Sequence, residues 1–241
     1  AFRPAAVLAK AIATLDVLSG GRIDVGIGAG WYEPEYAALG MAFPPPGMRL
    51  ARLAEAVDVL LGLLGGGPFT LDGKYHSAWL ATLDPPPLQR PRPPVFVGGK
   101  GDRLLRLVAE RADGWNTCWV WTPDAYAERA RVLDQACDAV ARDPATVHRS
   151  LGLYGLAGES EQDLARRFER MAALAPGGML ASTTLDEWRQ GRLVGTFEQV
   201  REQAAGWEAA GVESLIVGAG PLPFSIMAAD DVDALAAALR E

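Results

Sequence analysis

The sequence predicts an α/β protein built around a parallel sheet, and three observations support this prediction. The chain has 241 residues and is 49% hydrophobic, enough to bury a sizeable core. A helical segment opens the chain, and five short apolar runs then alternate with further helical segments, a pattern typical of parallel sheets with right-handed crossovers. Glycine-rich bends follow several of these runs, at the strand ends where such sheets bind ligands. One domain over residues 1–241 is the simplest organisation.

The first half of the chain begins with a helix and a strand. Helical spacing of apolar residues predicts a helix over residues 5–18, which two glycines end, and another over residues 48–64, which three glycines end. Between them, alternation of apolar residues with glycine and aspartate predicts a strand over residues 23–28. An Asp-Gly turn signal within residues 69–83 predicts two short paired strands there.

The second half continues the alternation after a proline-dense lead. Strands are predicted at residues 95–97, 115–119, 150–156 and 214–217. Helices are predicted from residue 104 onward and at residues 122–142, 161–174, 196–210 and 228–239. Thr196 with Gln199 three residues later predicts a capping box. Residues 177–192 have no clear periodicity, apart from a predicted helical turn at 186–190, and are predicted to form a lid or a surface loop.

Composition excludes several classes of function. The net charge of -7 and the absence of a lysine and arginine stripe argue against nucleic-acid binding. Two cysteines and two histidines are too few for a disulfide framework or a metal site. No run approaches 18 apolar residues and no export signal opens the chain, so we expect no membrane association and a cytoplasmic location.

The bend after the first strand is one candidate ligand site. Gly28, Ala29 and Gly30 carry no side chain larger than a methyl group, so a ligand can approach the backbone closely, and Trp31 adds a flat surface. The alternative is a glycine-rich turn followed by core aromatic residues.

A second candidate site follows the strand at residues 95–97. Gly98, Gly99, Lys100 and Gly101 lie between that strand and the next helix, an arrangement in which backbone N–H groups and a helix dipole face an anion such as phosphate. The spacing is neither a Walker A motif nor a dinucleotide fingerprint, so a tight turn without a ligand is the alternative.

Polar residues at the end of a later strand form the third candidate. Asn116 and Thr117 lie where ligand contacts are expected in a parallel sheet, although capping and turn formation explain them as well. The sequence shows no nucleophile elbow, no histidine beside a nucleophile and no carboxylate cluster, so no catalytic residue is assigned. A cofactor that carries the reaction itself is the natural alternative.

Three stretches resemble one known family and occur in the same order. They are LAKAIATLDVLSGGRIDVGIGAGWYEPEY at residues 8–36, PPVFVGGKGDRLLRLVAERADGWNT at residues 93–117 and LVGTFEQVREQAAGWEAAGVESLIVG at residues 193–218. The chain resembles the bacterial luciferase-like superfamily of flavin and deazaflavin oxidoreductases, which are eight-stranded TIM-type barrels that bind FMN or the deazaflavin F420. Residue 1 would fall after the third strand of that barrel. The resemblance therefore implies an incomplete, N-terminally truncated barrel of about five parallel strands that lacks the first three β/α units.

The resemblance also implies roles for the candidate residues. It places Gly28, Ala29, Gly30 and Trp31 beside the flavin or deazaflavin ring. It places Gly98, Gly99, Lys100 and Gly101 around the phosphate, and Asn116 and Thr117 along the ring or tail. The FMN-using luciferases have an arginine where this chain has Ala29, which favours F420 over FMN. Some F420-dependent dehydrogenases have an acidic catalytic residue where this chain has Trp31, so no proton donor is carried over.

The function expected from the resemblance is hydride transfer to, or monooxygenation of, a small organic substrate with F420 or FMN. One alternative is a non-catalytic remnant of such a barrel. Another is a sugar-phosphate barrel enzyme that uses the loop at Gly98. Exposed sheet edges would favour association, so a homodimer is a further expectation.

Overall fold

The computed structural model describes residues 2–223 and 225–240 and divides into two compact units. The first unit runs from the start of the chain to Trp115 and includes Leu133–His148. The second contains Asn116–Val132 and the chain from Arg149 onward. A single domain over residues 1–241 stays a prediction.

The first unit holds a parallel strand pair covered by helices. Its elements are α1 (Ala5–Ser19), β1 (Val25–Gly28), α2 (Glu33–Ala38), α3 (Pro46–Leu64), β2 (Phe69–Asp72), β3 (Ser77–Ala81), β4 (Val95–Gly98) and α4 (Asp102–Arg111). β1 and β4 are parallel, with Val25 opposite Val95 and Gly28 opposite Gly98. A core cluster joins these strands to α1 and α3, and its fully buried members include Ala9, Leu60 and Val95. β2 and β3 form a separate antiparallel hairpin.

The chain passes between the units through β5 (Gly114–Trp119) and α5 (Pro123–Ala139). The second unit then contains most of β6 (His148–Gly158), followed by α6 (Glu161–Leu174), α7 (Leu185–Arg189), β7 (Leu193–Thr196), α8 (Phe197–Ala209), β8 (Ser214–Gly218) and α9 (Ala229–Leu239). β6 is its central strand. The first half of β6 pairs in parallel with β8, with Ser150 opposite Ser214, and its second half pairs in parallel with β7, with Gly155 opposite Leu193.

The structure confirms the α/β class and corrects three details of the prediction. Among the described residues there are six strands outside the hairpin rather than five, because β7 was missed. The short helix α2 was also missed. α3 begins at Pro46 instead of residue 48, since a proline in the first helical turn lacks only an N–H group that would have no helical partner. In the part of the chain that the structure describes, no helix combines the length and the hydrophobicity of a membrane span.

A buried carboxylate fixes the chain that leads into β4. Asp16 of α1 has no exposed surface, and it accepts hydrogen bonds from the backbone N–H groups of Leu88 and Gln89 and from the side chain of Gln89 at 2.7–2.9 Å. Burial alone would raise the pKa of Asp16, but these donors hold it below its usual value. The proline-rich lead is therefore tied to α1, which positions β4 beside β1.

Candidate functional site

The two glycine bends predicted from the sequence lie side by side in the first unit. Because β1 and β4 are parallel and in register, Gly28 and Gly98 end neighbouring strands. A Cβ atom on Gly28 would lie 3.6 Å from the carbonyl oxygen of Gly98, and one on Gly98 would lie 3.7 Å from that of Ile27. The two strand ends thus present bare backbone next to each other, open to close approach by a ligand.

Gly30 is required by its surroundings. Its φ is +76°, in the left-handed region, and a Cβ atom there would overlap the hydroxyl of Tyr36. Tyr36 is itself buried, and its ring lies 4.9 Å from that of Phe2 and 5.0 Å from that of Phe43. The bend from Gly28 to Gly30 therefore rests on a fixed aromatic side chain.

Trp31 is not a core residue. It is 72% exposed, its neighbour Tyr32 is 50% exposed, and their ring centroids are 5.2 Å apart. The alternative in which core aromatic residues follow the turn is therefore wrong for these two side chains. Trp31 presents an accessible flat surface directly after the glycine bend.

The loop after β4 is fixed at one point and open at another. Gly99 has a φ of +144°, and a Cβ atom there would lie 2.7 Å from Cδ1 of Leu104. Its carbonyl oxygen accepts a 2.7 Å hydrogen bond from the indole N–H of the buried Trp115. Lys100 and Gly101 are exposed, and a Cβ atom on Gly101 would meet no neighbour within 4 Å. Gly101 is the N-cap of α4, which has no side-chain cap at that end.

Asn116 and Thr117 belong to the second unit. The Asn116 side-chain amide donates to the hydroxyl of Ser150 at 2.8 Å, and Thr117 is only 2% exposed. Asn116 thus has a structural partner within its own unit. A role for these two residues in the same site as the glycine bends stays a prediction.

A cation-lined cavity of about 320 Å³ adjoins Gly28 and Ala29, and it was not predicted from the sequence. Its wall carries the basic side chains Arg3, Arg49, Arg52 and Lys74, and among the described residues no Asp or Glu lines it. No single motif signals this cavity, because its basic residues come from the chain before α1, from α3 and from the hairpin.

Glu55 holds the hairpin wall of this cavity in place. Its carboxylate accepts hydrogen bonds from the successive backbone N–H groups of Lys74, Tyr75 and His76, at 3.1, 2.6 and 2.8 Å. Burial would raise the pKa of Glu55, but these three donors lower it below its usual value. Gly73 leaves room for the carboxylate, since a Cβ atom there would lie 2.6 Å from Oε2 of Glu55.

The second unit carries an aromatic cluster of its own. Trp119 stacks on Tyr154 with ring centroids 5.1 Å apart, and Tyr154 lies 6.0 Å from Trp188. The guanidinium of Arg192 lies 4.1 Å from the centroid of Trp188. Burial raises the pKa of Tyr154 and lowers that of Arg192. The cluster belongs to a hydrophobic core of the second unit, in which Trp188 and Tyr154 are buried, and one cation packs against it.

Comparison with solved structures defines the class of fold. An F420-dependent secondary alcohol dehydrogenase superposes with a TM-score of 0.75 at 20% identity, over 98% of this chain and 76% of that one. The monooxygenase RslO1 from Streptomyces bottropensis superposes with a TM-score of 0.77 at 22% identity, over 99% of this chain and 74% of that one. The fold is the α/β fold of the luciferase-like barrel enzymes.

Sequence comparison then gives the family. The luciferase-like monooxygenase profile matches residues 1–214, so this chain belongs to that family. The pyrimidine monooxygenase RutA of Pantoea ananatis (strain LMG 20103) is 32% identical over 209 residues, 83% of this chain and 55% of the relative. The FMNH(2)-dependent dimethylsulfone monooxygenase of Pseudomonas putida is 36% identical over 110 residues, 46% of this chain and 30% of the relative. The chain thus spans about half the length of RutA, or less for the second relative.

Proposed function

We propose that this chain supplies the cofactor cradle of an oxidoreductase that uses F420 or FMN to act on a small organic substrate, by hydride transfer or monooxygenation. The observation that carries the proposal is the pairing of Gly28 with Gly98, which sets two bare strand ends next to each other. Membership of the luciferase-like family supports it. So do the relatives, whose names include FMNH(2)-dependent and F420-dependent enzymes.

The residues present fit a flat, phosphorylated cofactor. At Gly28 and Gly98 a side chain would occupy the space against the neighbouring strand end, and glycine leaves that space open. The exposed Trp31 adds a planar surface next to it. Gly101 opens onto free space at the start of α4, where backbone N–H groups and the helix dipole favour a negative charge.

Each group of residues has a distinct task in this proposal. Gly28, Ala29, Gly30 and Trp31 would bind and orient the ring, because they allow close approach on one side and stacking on the other. The loop of Gly98, Gly99, Lys100 and Gly101 would bind the phosphate through backbone N–H groups and the lysine charge. When bound, the cofactor supplies a ring that exchanges a hydride with the substrate or activates dioxygen.

Two positions bear on the kind of cofactor and on proton transfer. Ala29 offers no charge to a phosphate, which favours F420 over FMN by comparison with family members that have arginine there. Trp31 cannot donate a proton as a carboxylic acid does. We therefore assign no catalytic acid or base in this chain.

Titration of the purified chain with FMN and with F420 tests the proposal. Binding should quench cofactor fluorescence. Gly28→Ala should weaken that binding about tenfold or more, because an intruding methyl costs about 1–3 kcal/mol. Gly26→Ala is the matched control on the same strand: a Cβ atom there meets nothing within 4 Å, so we expect less than a twofold change.

Two results would overturn the proposal. If neither cofactor binds, the chain is better described as a non-catalytic relative or as a binder of phosphate esters without a chromophore. If a cofactor binds but Gly28→Ala and Gly26→Ala behave alike, the strand ends are not the cradle. A folded far-UV CD spectrum for each variant keeps both results interpretable.

A further inference from the structure

Four basic side chains meet at the cavity beside Gly28 and Ala29 without acidic partners. They are those of Arg3, Arg49, Arg52 and Lys74, and none of them forms an ion pair within the described residues. The chain as a whole carries a net charge of -7, so this local excess of positive charge runs against its composition. Like charges held around one cavity repel each other, and an anion between them would relieve that repulsion.

Two of the four cations lie near one aromatic ring of the hairpin turn. The guanidinium of Arg52 lies 5.4 Å from the ring centroid of Tyr75, and Nζ of Lys74 lies 5.5 Å from it. Glu55, one helical turn from Arg52, forms no ion pair with either cation among the described residues; its carboxylate accepts the three backbone N–H groups of the hairpin turn instead. The backbone that carries Lys74 is therefore held in position by a carboxylate that forms no ion pair with these cations.

Arg49 is also fixed in place. Its Nη1 donates to the carbonyl oxygen of Pro44 at 2.7 Å, and its guanidinium lies 4.1 Å from the ring centroid of Phe43. Its Nε is buried and has no hydrogen-bond partner among the described residues. An unsatisfied buried donor of this kind is costly unless a ligand accepts from its group.

Much of the remaining wall is apolar, although Tyr75 and His76 also line the cavity. Leu8, Ile27 and Leu53 line the cavity together with the ring of Tyr36. A volume of about 320 Å³ lies at the lower end of the range typical of small-molecule sites. A bare inorganic ion would leave this apolar surface uncovered, whereas a small organic acid covers it and places its charged group against the cations.

We propose that this cavity binds the anionic group, a carboxylate or a phosphate, of a small organic molecule with an apolar body. Because the cavity adjoins the proposed ring site at Gly28 and Ala29, the molecule is assigned as the substrate, and this assignment rests on the proposed function. The site itself does not depend on the cofactor. Specificity then comes from Arg52 and Lys74 for the charge and from Leu8, Ile27 and Leu53 for the body.

Isothermal titration calorimetry of the cofactor-free chain at low ionic strength tests the site, with benzoate and inorganic phosphate as separate probes. We expect benzoate to bind more tightly than phosphate, because only benzoate covers the apolar wall. Arg52→Gln and Lys74→Gln should each weaken benzoate binding about tenfold, the effect of losing one charge-assisted hydrogen bond. Arg106→Gln, at an exposed position of α4, is the matched control and should bind as the unchanged chain does.

Three outcomes would overturn the proposal. Equal affinities for Arg52→Gln, Lys74→Gln and Arg106→Gln would show that the cavity is not the binding site. Binding of phosphate without benzoate would show a site for a bare ion. Competition between benzoate and whichever of FMN or F420 binds would assign the cavity to the cofactor instead of the substrate.

Failure of both cofactors in the fluorescence titration, with benzoate binding intact, would overturn the proposed function and leave the anion site standing.

Discussion

At the scale of single residues, the glycines and buried carboxylates of the first unit determine its local geometry. Gly30 and Gly99 have backbone conformations that side chains rarely adopt, and each is packed against a specific neighbour, Tyr36 and Leu104. Asp16 gathers three hydrogen bonds in a fully buried position. Such residues tolerate little change, because their neighbours are fixed by other contacts.

Gly30→Ala should destabilise the chain by about 2–4 kcal/mol, from left-handed backbone strain and overlap with the Tyr36 hydroxyl. Urea unfolding followed by CD measures the effect. Tyr36→Phe removes the overlapping oxygen, so the double variant should recover part of the loss and the two changes should be coupled. If the two changes in unfolding free energy are purely additive, the Tyr36 hydroxyl is not the reason that position 30 requires glycine.

Asp16→Asn should lower the free energy of unfolding by about 2–3 kcal/mol. The asparagine amide has an NH2 group in place of one carboxylate oxygen, so a donor would face the N–H groups of Leu88 and Gln89 that now bond Asp16. Chemical denaturation at neutral pH is the measurement. Asp24→Asn, at an exposed position, should change the same free energy by less than about 0.5 kcal/mol. Equal losses from the two substitutions would contradict the anchoring role of Asp16.

At the scale of elements, short-range signals predicted some boundaries and missed others. The capping box at α8 was predicted because Thr196 and Gln199 stand three residues apart, and both of its hydrogen bonds are present. β7 was missed because its four residues are too few to show alternation and run directly into that cap. The cationic cavity could not be predicted, since Arg52 on α3 and Lys74 on the hairpin meet only through folding.

The carboxylate of Asp163 on α6 should make stability depend on pH in acid. The side chain of Arg167 donates a hydrogen bond to the carboxylate of Asp163, and Arg166 donates another. Burial of Asp163 would raise its pKa, but these hydrogen bonds outweigh that effect and lower the pKa from 3.8 to about 2. Arg167 also bonds Asp231 of α9 at 2.9 Å. Because the folded pKa lies below the unfolded one, this stabilisation is present above about pH 4 and is lost as the pH falls through 2.

Urea unfolding at a series of pH values between 6 and 2 checks this expectation. Asp163→Asn should lose less stability than the unchanged chain between about pH 4 and pH 2, since it has no carboxylate to protonate there. Glu169→Gln, an exposed change on the same helix, should keep the steeper loss. Identical slopes for the two variants would contradict the assignment of this pH dependence to Asp163.

At the scale of the whole molecule, the free edge of β1 bears on association. Among the described residues β1 pairs only with β4, and Gly26 and Gly28 are exposed. An unpaired strand edge is a template for pairing with another chain, so we expect a homodimer in solution. Sedimentation equilibrium should give twice the chain mass of 25.6 kDa, and Gly26→Lys should shift the distribution toward one chain. A concentration-independent single-chain mass would contradict the expectation.

The bond between Trp115 and Gly99 also makes a spectroscopic reporter available. A hydrogen-bonded indole proton resonates in a sparsely populated, downfield part of an amide–indole NMR spectrum, and Trp115 donates that proton to the loop that we propose binds phosphate. Comparison with Trp115→Phe identifies its cross-peak among those of the seven tryptophans. Movement of that one resonance during a titration would then follow occupancy of the loop in real time, without any label on the ligand.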